Sequence, residues 1–243
     1  MVSKNQIKLI TSLEQKKFRQ KHKLFIAEGV KVIQELLLSN FELEHLYVTE
    51  PVFENTNEKL ISTIGESDLK KISCLSTPNN CLALFKIPEG KSIDESGLVI
   101  ALDDIRDPGN FGTIIRLCDW FGVRQIICSE QTVDVYNPKV IQATMGSVAR
   151  VNVSYVDLPQ HLKTTKKTVF GTFMNGKNVY QETLSADGIL VLGNEANGIS
   201  KEVEKHITQR LAIPRFGAIK KTESLNVATA TAIFLSEFKR KEQ

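Results

Sequence analysis

The sequence predicts an α/β protein in which a small N-terminal α/β domain precedes a larger domain built on a parallel sheet. Short apolar segments alternate with amphipathic segments along the chain, which is the pattern of strands joined by helices. A polar, turn-rich segment from Pro88 to Gly97 interrupts this alternation and is the most favourable domain boundary. We therefore expect domains at 1–90 and 98–243, joined by a linker at 91–97.

The first domain is expected to consist of short helices and strands. Gly29–Ser39 has the clearest helical pattern, because its apolar residues recur at helical spacing. The predicted helices span 3–22, 29–39 and 57–64, the predicted strands span 24–27, 43–49 and 71–75, and a further apolar run spans 81–87.

The second domain is expected to open with Leu98–Leu102, a continuous apolar run that is typical of a strand buried on both faces. Further strands are predicted at 125–128, 151–156, 168–171, 189–192 and 211–213, and helices at 111–121, 138–146, 158–166 and 201–206. A last helix follows Ser224, whose hydroxyl is the predicted N-cap. Because parallel sheets bind ligands beyond the carboxyl ends of their strands, we expect a site there.

Composition excludes several classes of protein. The chain has 243 residues and no apolar run long enough to span a bilayer, so a cytoplasmic protein without membrane contact is expected. Its four cysteines lack metal-binding or redox spacing and its four histidines are scattered, so no metal site is expected. The segment before Glu28 is basic, which indicates either a solvated helix face or a surface for a phosphate backbone. Its charged residues are Lys4, Lys8, Lys16, Lys17, Arg19, Lys21 and Lys23 against Glu14.

Unusual polar residues follow three of the predicted strands. Asn110 and Arg116 come after the first strand of the second domain, Glu195 after a later apolar strand, and Ser224 and Asn226 after the last strand. Taken one at a time, they have ordinary explanations as a helix cap, a surface arginine and a loop acid. Together, at the ends of strands in one sheet, they indicate a shared site.

The three motifs in this order resemble a known family. They read Asn-x-Gly-x-x-x-Arg at 110–116, Gly-x-Glu-x-x-Gly-Ile at 193–199, and Ile-Pro…Ser-Leu-Asn-Val at 213–227. This set resembles the signature motifs of the SpoU/TrmH RNA methyltransferases, and the match covers most of 98–238. The N-terminal part resembles the ribosomal-protein-like substrate-binding domain that precedes the catalytic domain in many members.

The resemblance implies a fold, an activity and partners. It implies a parallel-sheet SPOUT domain with a deep C-terminal trefoil knot, preceded by the substrate-binding domain, in a homodimer. It also implies that S-adenosylmethionine donates a methyl group to a ribose 2′-hydroxyl in RNA. The domain layout favours ribosomal RNA as the substrate, with transfer RNA as the alternative.

The resemblance also assigns roles to residues of this chain. Arg116 would be the base or activator of the 2′-hydroxyl, and a guanidinium suits electrostatic activation better than proton removal because it rarely deprotonates. Asn110, Glu195, Ser224 and Asn226 would orient Arg116, the ribose and the phosphate, with some of them supplied by the partner subunit. The implied cofactor-binding residues are Thr172, Phe173, Met174, Asn175, Gly193, Asn194, Gly198, Ile213, Ser224 and Leu225.

Other readings stay open at the level of sequence. Gly171–Asn178 nearly matches a P-loop after a strand, which would suit a nucleotide hydrolase, but Asn178 stands where a magnesium-binding Ser or Thr is needed. A non-catalytic RNA-binding protein of the same fold is a second rival, and a drug-resistance methyltransferase is an alternative within the family. Lys220 and Lys221 would contact RNA or simply be exposed, and Gln142 stands where family members often have a basic residue.

Overall fold

The structure is a computed structural model that describes residues 1–54, 56–217 and 224–240. The predicted RNA contacts Lys220 and Lys221 lie outside the described residues. The helices are α1 (Lys4–Ser12), α2 (Lys16–His22), α3 (Val30–Leu37), α4 (Glu66–Ile72), α5 (Pro108–Trp120), α6 (Pro138–Thr144), α7 (Leu158–Thr164), α8 (Lys201–Glu204) and α9 (Val227–Lys239). The strands are β1 (Leu24–Glu28), β2 (Leu43–Val48), β3 (Ile61–Thr63), β4 (Cys81–Lys86), β5 (Leu98–Asp103), β6 (Gln125–Ser129), β7 (Asn152–Val156), β8 (Val169–Asn178), β9 (Gly188–Gly193) and β10 (Gln209–Ala212).

The chain divides into two compact units. The first contains Met1–Gly90 together with Asp134–Ala149, and the second contains Lys91–Val133 and Arg150–Gln243. The sequence prediction assigned 134–149 to the second domain, but in the structure its helix α6 packs against β1. Membership of this segment depends on contacts between residues far apart in sequence, which local patterns do not report.

The first unit is built on a mixed sheet with strand order β1-β4-β2-β3. Two predicted elements in it are wrong. The helix predicted at 57–64 is a 3₁₀ turn at Glu58–Leu60 followed by β3, which pairs in parallel with β2. In place of the strand predicted at 71–75, residues 71–72 end α4 and residues 73–75 form a loop. Helix α4 buries Leu69 and Ile72 on one face.

The helix predicted at 3–22 is interrupted. Ser3 begins α1 with a capping box to Gln6, and the chain turns after Ser12 before α2 starts at Lys16. Leu13 is fully buried at this turn and anchors it to the core. The break separates a packed helix from a short, lysine-rich one.

The second unit is built on a parallel sheet, as the sequence predicts. The strand order is β10-β8-β9-β5-β6-β7. Strand β5 is buried along its whole length, because strands pair on both of its sides and helices cover the faces. Strand β8 extends well past its predicted end, to Asn178. Among the residues that the structure describes, no helix has the length and apolar character needed to cross a bilayer.

The predicted N-cap of the last helix is wrong. Asn226, and not Ser224, caps α9, because its side-chain oxygen accepts hydrogen bonds from the amides of Ala228 at 2.9 Å and Thr229 at 3.2 Å. An asparagine is as good an N-cap as a serine, so the local signal does not separate the two positions.

Candidate active site

A pocket of about 1270 Å³ lies beyond the carboxyl ends of the parallel strands of the second unit. Its walls come from the segment between β5 and α5, from β8, from the loop after β9, from the segment after β10 and from the start of α9. Most of the predicted site residues line it: Asn110, Thr172, Phe173, Met174, Gly193, Asn194, Glu195, Gly198, Ile213, Ser224, Leu225 and Asn226. Two predicted residues, Arg116 and Asn175, do not.

Three side chains from the three motifs form one chain of hydrogen bonds. Asn110 donates through Nδ2 to Glu195 Oε1 at 3.1 Å, and its Oδ1 accepts from Asn226 Nδ2 at 2.8 Å. Asn226 therefore uses both ends of its amide, because its oxygen caps α9. The motifs are separated by tens of residues, and this chain of contacts fixes the three side chains relative to one another.

The start of α5 places Asn110 in this chain. Asp107 is the N-cap of the helix, and its Oδ1 accepts from the Asn110 amide at 2.7 Å. Pro108 occupies the first turn, where a missing N–H costs nothing. Asn110 is thus not the cap, and its side chain is free to reach Glu195 and Asn226.

The loop after β9 is shaped by Asn194. Its Nδ2 donates to the Asp104 carbonyl at 2.7 Å, and its Oδ1 accepts from the amides of Ala196 at 3.0 Å and Asn197 at 3.1 Å. Gly193 lies so close to the returning chain that a Cβ there would stand 2.2 Å from the carbonyl carbon of Gly198. The loop is therefore a tight cradle of backbone, which is a surface suited to a closely held ligand.

The wall formed by β8 is largely apolar. Thr172 donates to the Val191 carbonyl at 3.1 Å, which leaves Phe173 and Met174 as the main contribution of this strand to the pocket. Phe216, 83% exposed, and Leu225 line the same pocket. Exposed apolar side chains around a concave site are typical of ligand pockets.

Asn175, a predicted cofactor-binding residue, bonds to Arg210 and does not line the pocket. Its Oδ1 accepts from Arg210 Nη2 at 3.1 Å, and the Arg210 guanidinium lies 3.5 Å from the centre of the Phe173 ring. Arg210 is also paired with Glu204. Asn175 thus helps to hold Arg210, whose guanidinium packs on the Phe173 ring.

Arg116 is not brought to the pocket of its own chain. It lies six residues after Asn110 on α5, and at about 100° per residue it points to a different side of the helix. Arg116 is exposed, on the same face as Thr113 and Trp120, and Trp120 is 84% exposed. The neighbouring acid Asp119 is bound to Arg150 at 2.9 Å.

The sequence prediction missed several residues that line the pocket, among them Arg106. Arg106 lines the pocket from the segment between β5 and α5, and its Nε donates to Asp104 Oδ1 at 2.8 Å. This hydrogen bond raises the pKa of the Arg106 guanidinium, so the group stays cationic. Arg106 falls outside the three motifs. Its place between a strand end and Asn110 could have indicated that it lies at the site.

The P-loop reading is wrong. Gly171–Asn178 lies within strand β8 and does not form a loop that opens a helix. A Cβ at Gly176 would stand 2.5 Å from the Leu211 backbone, because β10 packs directly beside it. Within the described ranges, His, Cys, Asp and Glu side chains nowhere gather in threes that could hold a metal ion.

A parallel sheet with a pocket at its carboxyl edge is typical of ligand-binding α/β proteins, and comparison with known families identifies the kind. Residues 97–236 match the SpoU rRNA Methylase family, and residues 4–83 match an MRM3-like substrate binding domain. The chain belongs to the SpoU rRNA methylase family, which confirms the expected resemblance.

Individual relatives match along nearly the whole chain. The 23S rRNA (guanosine(2553)-2'-O)-methyltransferase RlmP of Bacillus subtilis is 30% identical over 241 residues, which cover 96% of each protein. A solved structure from Porphyromonas gingivalis, assigned to the TrmH family of RNA methyltransferases, is 38% identical with a TM-score of 0.89 and 99% coverage of both chains. An AdoMet-bound rRNA methyltransferase from Sinorhizobium meliloti is 27% identical with a TM-score of 0.85, covering 99% of this chain and 97% of that one.

Proposed function

We propose that this protein transfers a methyl group from S-adenosylmethionine to a ribose 2′-hydroxyl of ribosomal RNA. The observation that carries the proposal is the chain of hydrogen bonds from Glu195 through Asn110 to Asn226 at the wall of a large pocket. The family assignment supports the reaction class. The full-length match to a 23S rRNA enzyme supports ribosomal RNA over transfer RNA.

The pocket fits the proposed cofactor. The loop from Gly193 to Gly198 presents closely packed backbone to the pocket, and Phe173, Met174 and Leu225 offer apolar surface. These residues would hold S-adenosylmethionine, together with Thr172, Asn194, Ile213 and Ser224. When bound, the cofactor supplies an electrophilic methyl group.

The polar side chains would act on the acceptor. A 2′-hydroxyl is a weak acid, so its attack is favoured by a nearby cation and by strict orientation. Glu195 fixes the Asn110 amide, and Asn110 in turn fixes Asn226, so that the amide groups can hold the ribose and its phosphate. The positive charge would come from Arg116.

We propose a homodimer in which Arg116, on the exposed α5 face with Trp120, serves the pocket of the partner subunit. The second domain would contain a deep C-terminal trefoil knot that holds the cofactor. The reaction would need no metal ion, because a guanidinium can stabilise the developing alkoxide, and it would take place in the cytoplasm.

Calorimetric titration tests the proposal directly. We expect saturable binding of S-adenosylmethionine and no binding of ATP with magnesium. Incubation with 23S rRNA, 16S rRNA or transfer RNA, followed by mapping of 2′-O-methylation, then identifies the substrate. Binding of the cofactor without methylation of any of these RNAs would instead favour a non-catalytic RNA-binding protein.

A further inference from the structure

Arg106 is a cationic side chain at the pocket that the three motifs do not include. It lines the pocket beside Asp107 and Asn110, and its side chain is 71% exposed. A surface arginine with this exposure is ordinarily a solvated group, so the way it is held decides its role.

The support beneath Arg106 is unusually well fixed. Asp104, which binds its Nε, has a left-handed backbone conformation with φ of 59°. The Asp104 amide donates to Ser129 Oγ at 2.9 Å, and its carbonyl accepts from Asn194 Nδ2 at 2.7 Å. Asp104 is thus bound on three sides, which fixes the carboxylate that orients the guanidinium.

The backbone of Arg106 belongs to the same network as the proposed catalytic amides. Its N–H approaches Glu195 Oε2 at 3.5 Å, while the other oxygen of that carboxylate accepts from Asn110. The position of Arg106 is therefore tied to the side chains that would orient the ribose.

The guanidinium has donors to spare. Asp104 uses Nε, and within the described residues Nη1 and Nη2 of Arg106 have no hydrogen-bond partner. An arginine with both Nη groups available in one plane matches the geometry of two phosphate oxygens. Asp107 and Glu195 line the same pocket and would repel an RNA backbone, so a cation beside them offsets this repulsion.

We infer that Arg106 is a positioning residue that binds a phosphate of the RNA next to the target ribose. The inference rests on the proposed function for the identity of the substrate. Every ribose in RNA has a phosphate on either side, so a cation close to Asn110 and Asn226 meets one when the 2′-hydroxyl is at those amides. The Asp104 carboxylate holds the guanidinium in the binding orientation before the RNA arrives.

The test compares Arg106→Ala, Arg106→Lys and Asp104→Asn with the wild type. Arg124→Ala is the matched control, because Arg124 is an exposed arginine that directly precedes β6. It therefore lies at the amino end of the strands, opposite the end that carries the pocket. We expect Arg106→Ala to raise the dissociation constant of 23S rRNA about tenfold at low salt and to lower the slope of log affinity against log salt by about 0.7 to 0.9. Arg106→Lys should keep the slope, and Asp104→Asn should weaken binding with the slope kept.

The methylation kinetics and the cofactor affinity complete the test. For Arg106→Ala we expect a raised KM for RNA, a kcat within about threefold of wild type and an unchanged affinity for S-adenosylmethionine. A parallel loss of cofactor affinity would overturn the inference and assign Arg106 to the cofactor carboxylate. An unchanged RNA affinity and salt slope would also overturn it.

The test of phosphate binding by Arg106 can fail or succeed independently of the test of methyl transfer. RNA affinity and its salt dependence are equilibrium measurements that need no catalysis. A wild-type protein that binds RNA but no S-adenosylmethionine would refute the proposed function, while the slope of Arg106→Ala would still decide whether Arg106 contacts a phosphate.

Discussion

Two arginines show how differently the two compact units use the same side chain. Arg19 in the first unit is 2% exposed, with Nε donating to Asp134 at 2.9 Å and Nη1 donating to the carbonyls of Leu13 and Glu14 at 2.8 Å. Arg106 in the second unit is 71% exposed and is held through Nε alone within the described residues. A buried guanidinium whose three nitrogens all donate hydrogen bonds supports local structure. A guanidinium that is oriented through Nε and keeps its Nη groups available can bind a ligand.

Arg19 also joins two parts of the first unit that are far apart in sequence. The partner of Arg19 lies 115 residues away, just before α6. The same guanidinium binds the turn between α1 and α2, so one side chain fixes both the turn and the returning segment.

The largest expected effect is on the stability of the first unit. Arg19→Ala leaves Asp134 without its cation and two carbonyls without their donor, so we expect the free energy of unfolding to fall by about 3 to 5 kcal/mol. Chemical denaturation measures this change, with Arg124→Ala as the control. A double variant, Arg19→Met with Asp134→Leu, should recover part of the loss because no unpaired charge remains. A change below about 1 kcal/mol for Arg19→Ala would remove the contrast between the two arginines.

Arg116 should show the opposite pattern, with a large effect on activity and a small one on folding. We expect Arg116→Ala to abolish methyl transfer while leaving the affinity for S-adenosylmethionine nearly intact, because Arg116 would act on the acceptor. Simultaneous loss of cofactor binding would give Arg116 a structural role.

Mixing variants tests whether Arg116 acts across subunits. In a mixed dimer of Arg116→Ala and Asn110→Ala chains, one of the two pockets has both residues intact. Random mixing should therefore restore about a quarter of wild-type activity. No recovery after verified chain exchange would mean that Arg116 serves its own chain or none.

Asn110 should show an intermediate effect. Asn110→Ala cuts the link between Glu195 and Asn226, and the resulting misorientation is expected to lower kcat on the order of a hundredfold. Gln160→Ala is a matched control, because it also removes an exposed side-chain amide. The backbone N–H of Gln160 donates to the N-cap Asp157, as the backbone N–H of Asn110 donates to Asp107. Equal activity of the two variants would contradict the proposed role of Asn110.

The smallest expected effect concerns α2, whose Arg19 side is buried and whose lysines are exposed. Lys17 lies 4.9 Å from the centre of the Phe18 ring, and Phe18 stacks on His22, which makes a basic surface with aromatic groups. We expect Lys17→Ala with Lys21→Ala to weaken 23S rRNA binding several-fold and to lower the salt slope by about 1.4 to 1.8.

A pair with the same loss of charge serves as the control for α2. Lys59→Ala with Lys70→Ala removes two exposed lysines elsewhere in the unit. Point variants are preferable to deletion of 1–90, because that deletion would strip residues 134–149 of the unit they pack in. Equal salt slopes for the two double variants would mean that the α2 lysines are solvated and do not contact RNA.

The sequence by itself determined the class of fold and many of the residues that line the pocket. Continuous apolar runs such as Leu98–Leu102 indicate strands buried on both faces, because five residues suit a strand and are too few for a typical buried helix. The polar residues at strand ends converge on one pocket because parallel strands share a carboxyl edge. Both inferences need only the local residue pattern and the common direction of parallel strands.

Only the tertiary structure decided which atoms meet. Asn226 and Ser224 are equally good caps by sequence, and the bond between Asn226 and Asn110 exists because α9 packs against α5. Segment 61–63 is a strand because β2 lies beside it, and the orientation of Arg106 depends on a carboxylate fixed by Ser129 and Asn194. These features arise from contacts between residues distant in the chain, whose free energies exceed local propensities of a few tenths of a kcal/mol.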